Sequence, residues 1–231
     1  MANNQYTKVS REIWPALAVI AAVAVILKIV FLSLLPSLPL WILFGLLAFA
    51  FRDPTRDIPS SPLAVVSPVD GRVVSIEPVS NPYIDAQSIR ITLKARFYNV
   101  YRIRSPIEGR TMQRWFLLPG DPLPVQQGPV GSMHLSNWIQ TDESDDVVVV
   151  VRKGSQKLRP RCNIQAGDRI GQGQRCGMIP FGADVDIYVP ANSKLEIAVG
   201  DKVLAGSDVV AILKHSSDTV NHSVGKGAGN D

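Results

Sequence analysis

Residues 13–35, IWPALAVIAAVAVILKIVFLSLL, constrain this chain more than any other stretch, because they carry a single charge, Lys28. A helix needs roughly 20 apolar residues to cross a bilayer, and a run this long has no face to present to water. A second run, LPLWILFGLLAFAF at 38–51, follows Pro36-Ser37. It is short for a crossing, and either spans with little tilt and extended ends or re-enters. A cleaved signal peptide is disfavoured, since the first run is too long and a second follows at once. Lys8 and Arg11 precede the pair, Arg52 and Arg56 follow it, and the Pro36–Pro39 linker holds no basic residue. That asymmetry predicts a hairpin in the inner (cell) membrane with both ends in the cytoplasm. Lys28 then lies near the far side, where its stem can snorkel to the interface.

From about residue 57 the pattern changes to short strands punctuated by Gly and Pro. SIRITL (88–93), VVVVV (147–151), VDIYV (185–189), KLEIAV (194–199) and VVAIL (209–213) favour strand by composition and length. No long helical period follows residue 57, so a mainly β domain is predicted. The chain divides into a cytoplasmic N-terminus (1–12), a hydrophobic membrane hairpin (13–51), a β domain (52–215) and a disordered polar tail (216–231).

The two cysteines, Cys162 and Cys176, fit a cytoplasmic domain best as free, half-buried thiols. His215 and His222 fall in or beside the tail and His134 in a loop-like stretch, so no metal site is expected. VRKGSQKLRPR (151–161) carries Arg152, Lys153, Lys157, Arg159 and Arg161. A solvated face accounts for such a run. Beneath a membrane anchor the competing reading is attraction to anionic headgroups, about 1 kcal/mol per near-surface charge. TDESDD (141–146) reads as an exposed acidic loop. No aromatic residues interleave the basic run, so nothing points to nucleic acid.

Two internal echoes sharpen the fold. SPVDGR (67–72) returns as SPIEGR (105–110), and AGDRIGQGQRCGMI (166–179) returns as VGDKVLAGSDVVAI (199–212). Repeated Gly-Asp turns between short strands predict a quasi-twofold β structure rather than a solenoid, which needs at least three units. Each glycine is a candidate for a positive φ at its turn. The echo resembles the hammerhead halves of biotinyl- and lipoyl-carrier domains, and so implies duplicated barrel-sandwich halves. Those carriers need a lysine at the hairpin tip; here the tip is Gly182-Ala183-Asp184.

In order, the two apolar segments, FRDPTR (51–56), SPVDGRV (67–73), FYNVYRIRSPIEG (97–109) and FGADVDIYVP (181–190) resemble the short, membrane-anchored class of phosphatidylserine decarboxylases. The resemblance runs over about residues 13–213. It implies a self-made cofactor. A serine in a Gly-Ser pair attacks the preceding carbonyl, and elimination leaves a small chain with an N-terminal pyruvoyl group. That carbonyl is the electron sink for decarboxylation. A histidine in NVH-x-NR-x-P, assisted by the aspartate of SP-x-DG, is the family's base.

Carried over residue by residue, the match is partial. Asp70 occupies the aspartate position and Gly182 the glycine of the cleavage pair, but Ala183 stands at the serine position and Tyr101 at the histidine position. Arg104 and Pro106 keep the pattern, whereas Ile103 replaces its asparagine. Alanine has no Oγ, so no acyl shift begins and no pyruvoyl cofactor is expected. Gly131-Ser132, Gly154-Ser155 and Gly206-Ser207 are other Gly-Ser pairs, none at the tip between the repeats. The leading reading is a non-cleaving pseudoenzyme of phosphatidylethanolamine metabolism that binds membrane phospholipid, an active relative or itself. The alternatives are an active decarboxylase working by unrecognised chemistry and a membrane-tethered barrel-sandwich adaptor. The adaptor reading lacks the long coiled-coil heptads that would support it.

Overall fold

The computed structural model describes residues 14–31, 35–50, 56–59, 61, 63–95, 102–126, 128–153, 160–179 and 182–214. Two helices open it, α1 (Trp14–Phe31) and α2 (Leu38–Ala50), separated by a 3-10 turn at Leu35–Ser37. At 1.5 Å per residue the 18 residues of α1 span about 27 Å, close to a hydrocarbon core, whereas the 13 of α2 span only about 20 Å. Most of the large apolar side chains of α1 lie exposed, Val19, Ile29 and Val30 among them. A helix whose solvent is lipid has that distribution.

The rest is strand: β1 (Ala64–Val66), β2 (Gly71–Ser80), β3 (Gln87–Ala95), β4 (Arg102–Arg104), β5 (Gly109–Leu117), β6 (Met133–Gln140), β7 (Asp146–Lys153), β8 (Arg161–Cys162), β9 (Arg169–Ile170), β10 (Arg175–Met178), β11 (Ala183–Pro190), β12 (Lys194–Leu195), β13 (Lys202–Val203) and β14 (Val209–Ile212). Among the described residues no helix follows Ala50. The main sheet has the order β13-β2-β3-β11-β7-β6-β5-β9, and two smaller sheets run β1-β14-β12 and β4-β10-β8. Every pairing between strands is antiparallel.

Strand periodicity explains where the cores lie. The VVVVV run is buried on both faces, which is why it shows no alternation. Val147, Val149 and Val151 enter the main core with Ile91, Leu93, Val185 and Ile187, while Val148 and Val150 pack with Tyr83, Ile84 and Tyr188 on the opposite face. Of KLEIAV only Lys194 and Leu195 form strand; the Gly200 turn follows too soon for a longer one. His134, expected in a loop, sits on β6.

One pattern of hydrogen bonds occurs twice. Ser67 Oγ donates to the Val69 carbonyl and Ser105 Oγ to the Ile107 carbonyl, each at 2.7 Å. The Gly206 amide donates to Ser67 O and the Gly173 amide to Ser105 O. The Val73 amide reaches Asp201 O and the Thr111 amide Asp168 O. Val203 pairs with Gly71 and Ile170 with Gly109. The turn glycines match as well: φ is 94° at Gly167 and 101° at Gly200. Only glycine adopts that region cheaply, so the Gly-Asp turns keep their glycines for backbone reasons.

Candidate functional site

Asp70 lies in the turn between β1 and β2, where a serine-capped Ser-Pro bend delivers its side chain inward. Its Oδ2 accepts from Arg56 Nη2 at 2.8 Å and its Oδ1 from the Ala205 amide at 2.7 Å. The carboxylate therefore ties the segment leaving the apolar helices to the β13–β14 turn. Gly71, the next residue, must be small: a Cβ there would stand 2.9 Å from the Lys94 carbonyl oxygen.

That close approach carries the chain across the sheet to the start of β11. The expected hairpin tip at Gly182-Ala183-Asp184 is corrected here: Ala183 and Asp184 are strand residues, and β10 pairs with β4 and β8 rather than with β11, because the two strands belong to different sheets. Arg72 pairs with Lys94, which sets Gly71 beside Ala95, and Ala95 pairs with Ala183. Asp70 and Ala183 are thus brought to the same end of the main sheet. Gly182, with φ of 77°, takes the left-handed conformation that turns the chain into β11. The Ala183 methyl packs at the edge of the main core.

Tyr101 lies outside the described residues, as do Lys157 and Arg159. The topology nonetheless places both flanks of residues 96–101 here. The segment leaves β3 at Ala95 and returns at β4, where the Arg104 amide donates to Pro68 O at 2.9 Å and the Val66 amide to Pro106 O at 2.8 Å. Arg104 Nη1 donates to Gly173 O. Ile103, at the position where the resemblance carries asparagine, is 3% exposed and packs in the main core. Of the other Gly-Ser pairs, Gly131-Ser132 precedes β6 and Gly206-Ser207 turns between β13 and β14, while Gly154-Ser155 falls outside the described residues.

The basic run does not form one uniform surface. Arg152 Nε lies 2.6 Å from Asp186 Oδ2, and its Nη2 donates to Asp186 Oδ1 at 2.9 Å. Lys153 is largely buried, and Arg161 is exposed. Asp186 is itself 2% exposed and also accepts from Thr92 Oγ1 at 2.8 Å. Beside it Tyr83 Oη and His134 Nδ1 are 2.7 Å apart. Burial pushes the Tyr83 phenol pKa up, and burial with the nearby Arg152 charge pulls His134 below its ordinary 6.5. Sequence reasoning missed this network. The usable signal was a lone aspartate in the apolar strand VDIYV, since a buried carboxylate needs a cation.

The phosphatidylserine decarboxylase family model matches residues 43–211. A phosphatidylserine decarboxylase proenzyme of Aromatoleum aromaticum is 36% identical over 215 residues, covering 92% of this chain and 100% of that protein. One from Nitrosomonas europaea is 35% identical over 205 residues, covering 88% and 94%. Another, from Burkholderia ambifaria, is 33% identical over 214 residues, covering 92% and 99%. No solved structure matches the chain.

Proposed function

The chain belongs to the phosphatidylserine decarboxylase family, and we propose that it is a member that neither cleaves itself nor forms a pyruvoyl group. The observation that carries this reading is the residue that opens β11. Ala183 follows a left-handed Gly182 at the end of the sheet that also holds Asp70, and it offers a methyl where self-cleavage needs a hydroxyl. The residues there do not fit a pyruvoyl group, which must be made from a serine or an equivalent nucleophile. Asp70 has a structural occupation, joining Arg56 to the Ala205 amide. Apolar packing around Ile103 supports the same view, since the neighbourhood has exchanged a polar position for core.

The chain remains a protein of the membrane in this reading. Its apolar pair, 13–51, forms a hairpin in the inner membrane and its β domain faces the cytoplasm, supported by the basic flanks and by the packing of α1 against α2. The twice-repeated hydrogen-bond pattern supports duplicated barrel-sandwich halves. Its partners are phospholipid headgroups, held by Arg161 with Lys157 and Arg159, or an active relative. Arg152 and Lys153 contribute less to a lipid-facing surface, the first being paired with Asp186 and the second buried.

A second reading, active decarboxylation by different chemistry, draws on the names of relatives at 33–36% identity. The intact mass of the purified full chain separates the two. A single 25.2 kDa species supports the non-cleaving reading. A fragment ending at Gly182 with its smaller partner, or CO₂ release from phosphatidylserine, overturns it.

A further inference from the structure

The only two cysteines of the chain meet in the fold. Cys162 ends β8 and Cys176 lies on β10, and these strands pair with Gly177 opposite Cys162. The Asn163 amide donates to the Cys176 carbonyl at 2.8 Å, which locks the two residues side by side. Both are free thiols, 8% and 7% exposed, both belong to the main core, and the Cys162 thiol donates to Asn137 Oδ1 at 4.0 Å.

Packing alone does not require sulfur here. In the matching strand pair Leu195 lies opposite Ala211, so Leu195 and Val210 occupy the corresponding places, and both are apolar members of the same core. Two neighbouring thiols add a chemistry that Leu and Val lack.

We infer that Cys162 and Cys176 form a reversible intrachain dithiol–disulfide pair, oxidised by a low-molecular-weight disulfide. One of the two, as its thiolate, attacks one sulfur of RSSR and forms a mixed disulfide, expelling RS⁻. The other then loses its proton and attacks the sulfur of the first, expelling the second RS⁻. Two protein thiols are oxidised and one RSSR is reduced to two RSH. The bond pins β10 to β8. β10 also pairs with β4, the strand that follows residues 96–101, and leads towards Gly182, so oxidation stiffens the approach to the start of β11. This inference stands whether or not the chain cleaves itself.

The test uses the full chain in detergent micelles with oxidised glutathione as the probe. Denaturing intact mass should fall by two hydrogen atoms, and a non-reducing peptide map should join the peptides of Cys162 and Cys176. Dithiothreitol should restore the starting mass. Cys176→Ala and Cys162→Ala should each lack the loss of two hydrogen atoms and stop at the reduced thiol or a single glutathione adduct. Should either variant misfold, the wild-type map still decides. A bond between two chains, glutathione retained on both cysteines, or two thiols still fully alkylatable after the treatment would each overturn the assignment.

Discussion

Arg152 Nε sits 2.6 Å from Asp186 Oδ2, joining adjacent strands β7 and β11 two positions out of register on the face opposite the main core. Asp186 is 2% exposed whereas the arginine keeps a third of its side chain in solvent. The two ends of the pair are therefore not equivalent. Removing Arg152 strands a buried carboxylate, while removing Asp186 releases a cation that water can solvate.

Arg152→Ala should cost about 3 kcal/mol, the low end for breaking a buried pair because the arginine is partly solvated. Adding Asp186→Asn should recover part of that loss, since a neutral amide can still accept from Thr92. Urea unfolding of the three proteins in one detergent checks this. A double variant no more stable than Arg152→Ala would show that the charge of Asp186 is not what is stranded.

His134 should make the stability of the domain depend on pH. The fold holds its pKa below 6.5, so the unfolded chain takes up the proton first as pH falls. Stability from the neutral imidazole is complete above 6.5 and is lost as pH falls from there through the folded value. His134→Gln keeps an acceptor for Tyr83 but cannot titrate, so it should flatten this slope. Thermal midpoints from pH 7.5 down to 5, in both proteins, carry the comparison.

Ala183→Ser alone should leave the chain intact, because the new hydroxyl has no base. Tyr101 is a phenol with an ordinary pKa of about 10 and is a poor base at neutrality. Ala183→Ser with Tyr101→His should yield a detectable fragment of about 5 kDa, the share of residues 183–231 in the 25.2 kDa chain. Denaturing electrophoresis reads the outcome, and efficient cleavage by the single variant would refute the need for a base at 101.

From the motif alone, Ile103→Asn would be expected to aid that restoration. The packing reverses the expectation: the amide would replace a side chain 3% exposed in the main core. A loss of about 2 kcal/mol or more should follow, from lost apolar packing and an unpartnered amide. Unfolding midpoints with and without Ile103→Asn decide, and an unchanged midpoint would mean that this strand end accommodates polar groups.

A cysteine at position 60 should report the topology. Ser60→Cys, placed in a chain that also carries Cys162→Ala and Cys176→Ala, should react with a membrane-impermeant thiol reagent only from the cytoplasmic side. Labelling from the opposite side alone would invert the hairpin assignment.

The apolar runs, the mainly β character and the Gly-Asp turns were legible in the sequence, because each rests on local physics. Twenty apolar residues exclude water, β-branched runs favour extended backbone, and a positive φ selects glycine. That residue 183 carries a methyl and residue 101 a phenol is likewise written in the residues themselves. What only the tertiary structure decided depends on register. That Gly71, Ala95 and Ala183 stand side by side, that Arg152 finds Asp186, and that Cys162 meets Cys176 all follow from which residue opposes which across a sheet. A slip of one residue would turn every such side chain to the other face, and no local propensity sets that alignment. It is set by packing the whole sheet against its core, which draws on contacts tens of residues apart in the chain.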